Sequence, residues 1–254
     1  METREKAAQG ENTDLVIEIS QVKKAFGDHV VLKDVNIGIT KGENIVVLGK
    51  SGTGKSVLIK CIAGLMTPDS GKLKVLGSVV SDLKADELNK LRKKIGFLFQ
   101  SGALYDSMTV RENLEFPLRK TVRNMQDQEI NALVEEVLGN VGLMDAIDKM
   151  PSELSGGMRK RIALARTLIL KPEIILYDEP TTGLDTITSR EISLLIKDMK
   201  EKYGISSIII THDMNCAKIT ADRILVLWEG EFIAEGTYDE LAGSNDKRVC
   251  AFFE

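Results

Sequence analysis

The sequence predicts an α/β sheet domain that is split by an inserted, mainly α-helical segment. Short apolar strands alternate with helical spacing in residues 15–100 and again in residues 172–245. Between these two halves, the pattern is mostly helical from Thr109 to Leu143 and from Gly156 to Leu170. We therefore expect one domain at 15–245, with a core at 15–100 and 172–245, a helical insert at 101–171, a frayed tail at 1–14 and a short C-terminal tail at 246–254.

The strands and helices of the sheet domain follow from local patterns. In the first half, the predicted strands are Leu15–Ile19, Val30–Ile37, Asn44–Leu48 and Gly96–Phe99, and the predicted helix is Ser56–Leu65. In the second half, the predicted strands are Ile174–Tyr177, Ser207–Thr211 and Ile224–Leu227, and the predicted helix is Ile187–Lys202. Pro172 ends the preceding helix because proline lacks the N–H that a helical hydrogen bond needs.

Composition excludes several classes of protein. With 43% hydrophobic and 28% charged residues, the 254-residue chain can bury a sizeable core. Its net charge of -4 argues against a nucleic-acid-binding protein, which usually has an excess of basic residues. No apolar run reaches the ~18 residues that a membrane-spanning helix needs. The three cysteines are widely spaced, which indicates reduced thiols rather than a disulfide framework or a metal site.

Residues 49–56 fit the phosphate-binding pattern G-x-x-x-x-G-K-[ST] and lie between a predicted strand and a predicted helix. The glycines allow successive N–H groups to point at phosphate oxygens, and the helix N-terminus favours the same anion. Lys55 supplies a charge for the β- and γ-phosphates, and Ser56 offers a hydroxyl to Mg²⁺. A flexible Gly/Ser turn would explain the glycines but not the lysine and serine. The candidate ligands are Gly49, Lys50, Ser51, Gly52, Thr53, Gly54, Lys55 and Ser56.

Two further strands end in groups suited to phosphate chemistry. Asp178 and Glu179 follow a buried strand, and in an open α/β sheet the ligand lies beyond the carboxyl ends of the strands. We expect Asp178 to hold hydrated Mg²⁺ and Glu179 to orient and polarise the attacking water. Gln100, at the end of another strand, can reach Mg²⁺ or the water without changing the charge of the site. The alternative for the paired acids is a solvated strand-to-loop turn.

His212 follows a strand that ends at the same edge of the sheet, and it is one of only two histidines. A lone histidine is more often structural than catalytic, but this one lies between a hydroxyl residue and Asp213. We interpret His212 as part of the catalytic site and His29, in a polar turn, as structural. Phe26 is a candidate for stacking on adenine, although single aromatic residues usually belong to a core.

Ser155, Gly156 and Gly157 open a helix and form a second potential anion-binding N-terminus. One chain cannot easily bring both loops to one triphosphate if they lie on different sub-domains. A head-to-tail pair of chains would place each nucleotide between the Gly49–Ser56 loop of one chain and the Leu154–Met158 segment of the other. The alternative is an ordinary helix with Ser155 as its N-cap.

Together these segments resemble the ATP-binding subunit of ABC transporters, from Val16 to about Leu241. The resemblance comprises the phosphate loop, a glutamine loop at Gln100, the Leu-Ser-Gly-Gly signature at 154–157, a Walker B strand with Asp178 and Glu179, a D-loop at 183–185 and a switch histidine at His212. It implies a P-loop NTPase fold of the ABC ATPase type, with a RecA-like sheet core and an inserted helical sub-domain, and ATP and Mg²⁺ as cofactors. It also implies a homodimer in which Ser155 and Gly157 contact the γ-phosphate of the other chain's nucleotide and Asp185 couples the two sites.

Within this family, the sequence is most similar to the Mla-type (Mce-associated) phospholipid transport ATPases. The similar residues are Met158 in place of the usual glutamine, the stretch Gln100–Val110 with Asn113 and Phe116–Leu118, and the end of the chain, with Asn245–Val249, Phe252 and Phe253. Phe26 stands where tyrosine is common. The resemblance implies an integral membrane permease subunit, an Mce-type lipid-binding protein and a small accessory subunit as partners, no nucleic acid, and a peripheral location on the cytoplasmic face of the inner membrane.

Other classes of ATPase remain alternatives. One alternative is a soluble ABC-type assembly ATPase, such as one for iron–sulfur clusters. Only the sequence of Gln100–Leu118 argues against it. A kinase with the same phosphate loop leaves Leu154–Met158 unexplained. For a membrane-coupled ATPase, we expect Leu104, Tyr105 and Met108 to contact a short helix of the membrane subunit. The alternative is that these three residues pack the insert against the sheet.

Overall fold

The computed structural model describes residues 14–122 and 124–253. The predicted tail at 1–14 therefore lies outside the described residues, apart from Asp14. The strands are β1 Leu15–Phe26, β2 His29–Thr40, β3 Asn44–Leu48, β4 Ser70–Val75, β5 Ser78–Val79, β6 Ile95–Leu98, β7 Ile174–Asp178, β8 Ser206–Ile210, β9 Arg223–Trp228 and β10 Glu231–Gly236. The α-helices are α1 Lys55–Ile62, α2 Ala85–Arg92, α3 Val110–Thr121, α4 Asp127–Val141, α5 Gly156–Leu168, α6 Thr186–Tyr203, α7 Met214–Thr220, α8 Tyr238–Ala242 and α9 Lys247–Cys250. Short 3₁₀ turns cover Val80–Asp82, Met144–Ala146 and Pro151–Glu153.

The central sheet has the strand order β10-β9-β3-β8-β7-β6, and all its pairs are parallel except β10 with β9. Strands β3 and β8 are buried along their whole length. Their apolar runs, Ile45–Leu48 and Ile208–Ile210, suit strands that are covered on both faces. Val47 lies opposite both Ile210 and Leu225, so β3, β8 and β9 end together at one edge. The predicted α/β fold class is confirmed.

A second, antiparallel sheet has the order β2-β1-β4-β5 and covers one side of α1. The sequence analysis predicted β1 only as far as Ile19, because the strand is irregular beyond that point. Gln21 has a φ of 53°, and the register with β2 shifts between Ile19 and Val22. Here β4 passes so close that a Cβ on Gly71 would lie 2.3 Å from the carbonyl oxygen of Gln21. Only glycine fits at this crossing.

The region between β6 and β7 is helical, as predicted. Thr109 caps α3 and accepts a hydrogen bond from the N–H of Glu112 at 3.2 Å. Residues from α3, α4 and α5, including Leu114, Val134 and Ile162, form one buried cluster that continues into the central sheet. Helix α5 packs against both α4 and β6. The predicted boundaries of the insert, 101–171, remain a prediction.

The segment 246–254, which the sequence analysis predicted as a short tail, contains the helix α9. Asp246 caps α9 by accepting a hydrogen bond from the N–H of Arg248 at 2.9 Å, and Val249 is fully buried. The ring of Phe253 lies 5.2 Å from that of Tyr238 in an edge-on arrangement. Local capping and these apolar contacts fold the segment onto the domain. Glu254 lies outside the described residues.

The two sheets are joined by Arg223 on β9. Its guanidinium contacts Glu43 Oε1 at 2.8 Å and donates to the carbonyl oxygen of Gly38 on β2 at 2.6 Å. It also pairs with Glu235.

Among the described residues, no helix combines the length and apolar character that crossing a membrane requires.

Candidate nucleotide-binding site

A cavity of about 800 Å³ lies beyond the carboxyl ends of the parallel strands. It brings together most of the residues that the sequence analysis proposed for the site. The predicted residues that line it are Gly49, Lys50, Ser51, Gly52, Gly54, Lys55, Ser56, Gln100, Asp178, Glu179 and His212. Thr53 lies in the same loop, where its hydroxyl donates to the carbonyl oxygen of Lys50 at 2.9 Å.

The loop between β3 and α1 depends on its glycines. Gly54 has a φ of 100°, and a Cβ there would lie 2.9 Å from the side chains of Val31 and Leu32. A Cβ on Gly49 would lie 2.7 Å from the carbonyl oxygen of Leu227. The loop is therefore tightly enclosed by β2 and β9, and its shape requires glycine at both positions.

Lys55 is held inside the loop at the start of α1. Its ammonium group donates to the carbonyl oxygens of Gly49 at 2.5 Å and Lys50 at 2.9 Å. Only 8% of the residue is exposed. Burial lowers the pKa of Lys55, and the carboxylates of Glu179 and Asp178 act in the opposite direction. A fixed cation at this position suits a polyphosphate.

The hydroxyl of Ser56 donates to Asp178 Oδ1 at 3.2 Å, which joins the phosphate loop to the end of β7. Gln100 lines the same cavity. A hydroxyl, a carboxylate and an amide oxygen form the kind of donor set that Mg²⁺ takes alongside water and phosphate oxygens. Within residues 14–122 and 124–253, no cluster of three or more His, Cys, Asp or Glu side chains could hold a metal ion. The donor set of Ser56, Asp178 and Gln100 fits a Mg²⁺ ion that would arrive with a triphosphate.

Glu179 and His212 form a hydrogen-bonded pair at the rim of the cavity. His212 Nδ1 lies 2.8 Å from Glu179 Oε2, and the hydroxyl of Thr182 donates to the same oxygen at 3.2 Å. Glu179 has a φ of 53°, in the left-handed region that side chains other than glycine rarely adopt. Such a conformation persists only where its surroundings enforce it. The contacts with His212 and Thr182 thereby fix the carboxylate at the rim of the cavity.

Ser155, Gly156, Gly157 and Asp185 do not line this cavity. Ser155 caps α5 and accepts from the N–H of Met158 at 3.2 Å, so the structural alternative for this residue is observed. Asp185 caps α6 and accepts from the N–H groups of Ile187 and Thr188 at 3.0 Å. The hydrogen bonds from Thr188 lower the pKa of Asp185.

The structure also does not place Phe26 in the lining of the cavity. The ring is about half exposed, and the ammonium group of Lys24 lies 5.5 Å from its centroid. The aromatic residue that lines the cavity is Phe252, next to Ala251. The sequence analysis used Phe252 only as part of the family resemblance and did not assign it to the site.

A smaller cavity of about 430 Å³ adjoins the outer face of the phosphate loop. Trp228 lines it, and the ammonium group of Lys50 lies 4.9 Å from the centroid of its indole. His29, interpreted from the sequence as structural, also lines this second cavity.

A buried lysine, Lys160, is a further residue that the sequence analysis did not identify. It donates from α5 to the carbonyl oxygen of Gln100.

Comparisons with known proteins agree with this geometry. A family model described as "ABC transporter" matches residues 32–182. The chain is 41% identical to Protein TRIGALACTOSYLDIACYLGLYCEROL 3, chloroplastic, of Arabidopsis thaliana, over 95% of this chain and 74% of that protein. It is 38% identical to the intermembrane phospholipid transport system ATP-binding protein MlaF of Haemophilus influenzae, over 94% and 90%. It is also 40% identical to the glutamine transport ATP-binding protein GlnQ of Geobacillus stearothermophilus, over 93% and 96%.

Solved structures show the same fold. A dimeric post-hydrolysis state of the ATP-binding cassette MJ0796 bound to ADP and Pi superposes with a TM-score of 0.79 at 36% identity. The match covers 87% of this chain and 98% of that one.

The first prediction separates binding from chemistry. Glu179→Gln keeps the shape of the side chain but removes the carboxylate that would polarise water. We expect ATP hydrolysis to fall by roughly 10²–10⁴-fold, while binding of ATP·Mg²⁺ is retained. Steady-state phosphate release and fluorescent-nucleotide titration measure the two quantities.

Lys55→Ala is the matched contrast, because it removes a group that would bind phosphate. The loss of a charge-assisted hydrogen bond should weaken ATP affinity by roughly 10- to 100-fold. Hydrolysis near the wild-type rate in Glu179→Gln would place the base elsewhere, and unchanged ATP affinity in Lys55→Ala would contradict the role of the lysine.

Proposed function

The chain belongs to the ABC transporter family, and we propose that it hydrolyses ATP to power the transport of phospholipid between membranes. The fold is that of an ABC ATPase cassette, the enzyme is an ATPase, and its cofactors are ATP and Mg²⁺. As in other ABC transporters, the ATP-binding subunit works as a dimer together with membrane permease subunits. The main observation in support of ATPase activity is that the phosphate loop, Asp178, Glu179 and His212 line one cavity.

One of the similar proteins supports phospholipid as the substrate. MlaF is named for intermembrane phospholipid transport, and the chain aligns with nine-tenths of its length. Met158, at the end of the signature, and the residues after Gln100 supported the same branch from the sequence alone. Because GlnQ is equally similar, transport of an amino acid is the outcome that the experiment must separate from lipid transport. We propose a peripheral location on the cytoplasmic face of the inner membrane, with an Mce-type lipid-binding protein among the partners.

Purification of the complex and reconstitution test the substrate. The chain, tagged at its N-terminus, is used to isolate its permease from detergent-solubilised membranes, and the complex is placed in vesicles. We expect ATP-dependent transfer of a labelled phospholipid to or from acceptor vesicles and none with Glu179→Gln. Uptake of labelled glutamine without phospholipid transfer would overturn the lipid proposal and leave the ATPase assignment intact.

We further propose that two chains form each nucleotide site in a head-to-tail dimer. Ser155 and Gly156 are exposed at the start of α5, where a second chain can reach them. Beside them, Ile187 at the start of α6 is 74% exposed, although it is a large apolar side chain. A Cβ on Gly157 would lie 2.5 Å from Thr188 Cγ2, so the signature and the residues that follow Asp185 form one continuous surface.

Mixing two inactive variants tests the shared site. Lys55→Ala leaves the signature intact, and Ser155→Arg leaves the phosphate loop intact. Each variant alone should be inactive, whereas an equal mixture should recover about a quarter of the wild-type rate, because half of the dimers are mixed and each of these has one intact site. Phosphate release before and after mixing measures this recovery. A wild-type rate per chain that stays constant at any dilution of the protein would contradict the shared site.

A groove of about 690 Å³ beside α3 is the surface that we propose for docking the permease. Met108 and Phe116 line it, together with Glu112, Arg119 and Lys120. Tyr105 is exposed, and its ring lies 5.1 Å from that of Phe116. Leu104 is different, because it is half-buried and packs against the central core. The structural alternative therefore applies to Leu104, and the proposed contacts are Tyr105, Met108 and Phe116.

Charge substitution in the groove tests this surface. Met108→Asp combined with Phe116→Asp should release the chain from its membrane complex, because a short apolar helix would meet carboxylates. ATP binding should be unchanged. Met144→Asp, at an exposed methionine outside the groove, is the control and should remain in the complex. Co-purification with the permease is the measurement, and retention of the double variant at the wild-type level would place docking elsewhere.

A further inference from the structure

We propose that Lys160 is a positioning residue that holds Glu179 and the Gln100 loop in their working geometry. Lys160 lies in the second turn of α5, and only 7% of it is exposed. Its ammonium group donates to the carbonyl oxygen of Gln100 at 2.5 Å and lies 3.4 Å from that of Glu179. This inference rests on ATP hydrolysis at the site but not on the substrate transported.

A buried ammonium group needs compensation, because removal from water disfavours its charged form. Burial lowers the pKa of Lys160, and the nearby carboxylates of Glu179 and Asp178 partly restore it. The described hydrogen-bond partners of its ammonium are main-chain carbonyl oxygens rather than a carboxylate. The lysine therefore acts on the backbone of the catalytic segment, and the side chain of Glu179 remains available to His212 and to water.

The backbone of Glu179 is held on both sides. Its N–H donates to the carbonyl oxygen of Ile210 at 2.9 Å, and its own carbonyl oxygen faces Lys160. This residue has the left-handed φ of 53° described above, a conformation that relaxes when its partners are removed. A rotation of this peptide would move the carboxylate away from the attacking water. Loss of Lys160 is therefore expected to affect catalysis more than nucleotide binding.

The same helix also fixes the Gln100 loop at a second point. Arg166 donates to the carbonyl oxygens of Ala103 at 2.7 Å and Gly102 at 3.1 Å. With Lys160, α5 therefore makes hydrogen bonds to three carbonyl groups of this loop. Lys160 differs from Arg166 because it alone also reaches the residue that would polarise water.

The test is steady-state ATP hydrolysis by the purified full chain carrying Lys160→Met. Methionine keeps the length and apolar stem of lysine but cannot donate a hydrogen bond. We expect kcat to fall by roughly 10- to 100-fold, the scale on which small displacements of a catalytic group act. ATP affinity, measured by fluorescent-nucleotide titration, should stay within about twofold, since the phosphate loop does not contact Lys160. Lys160→Arg, which keeps the charge and the donors, should retain more of kcat than Lys160→Met.

The matched control is Arg161→Met, one position further along α5. Arg161 pairs with Glu191 at 2.7 Å and contacts neither Gln100 nor Glu179. This variant should keep the wild-type kcat. A Lys160→Met enzyme with kcat within about twofold of wild type, a loss of ATP affinity without a change in kcat, or an equal loss in the folded Arg161→Met enzyme would each overturn the positioning role. Because all arms measure ATP hydrolysis without a permease, failure here is distinct from failure of the lipid proposal.

Discussion

The main-chain hydrogen bonds that place β3 between β8 and β9, and β8 beside β7, are the constraint on which the site depends. These parallel strands are buried along nearly their whole length, so their positions in the sheet are fixed by burial and by register. Their carboxyl ends meet at one edge of the sheet. The phosphate loop, the Asp178–Glu179 pair and His212 come from three different parts of the chain, yet they line one cavity because they follow these ends directly. A shift of one strand by one residue would separate them.

Charge within this edge is nearly balanced before any ligand arrives. Two buried lysines, Lys55 and Lys160, face two carboxylates, Asp178 and Glu179, and burial disfavours the charged form of both lysines. Hydrogen bonds to main-chain carbonyl groups stabilise each ammonium. The two lysines have different roles because they lie in different elements. Lys55 starts in the loop that would hold phosphate, whereas Lys160 starts in the helix that opens with the signature.

The sequence was sufficient for features that depend on neighbouring residues or on strong patterns. The phosphate loop, the strands β3, β7 and β8 and the Ser155 N-cap of α5, which was one of two alternatives, belong to this group. The antiparallel sheet was found only in part, because Gln21 breaks the alternation of β1 and because the fit of Gly71 against it involves residues far apart in the chain. The geometry of Glu179 could not be predicted either, since its φ depends on Ile210 and Lys160. The positions of Phe26 and Phe252 relative to the cavity could not be predicted, because an aromatic residue in the sequence does not indicate which surface it contacts.

The docking of α9 beside the nucleotide cavity has a consequence for how the molecule can be observed. Burial raises the pKa values of the Cys61 and Cys216 thiols to about 11, so at neutral pH they are protonated as well as enclosed. Cys250 is half-buried at the end of α9 and immediately precedes Ala251 and Phe252, which line the cavity. Cys250 is therefore the one cysteine of the three that is not enclosed, and it lies at the edge of the nucleotide site. A thiol-directed fluorophore attached there would report on nucleotide arrival and departure in real time without any cysteine being removed.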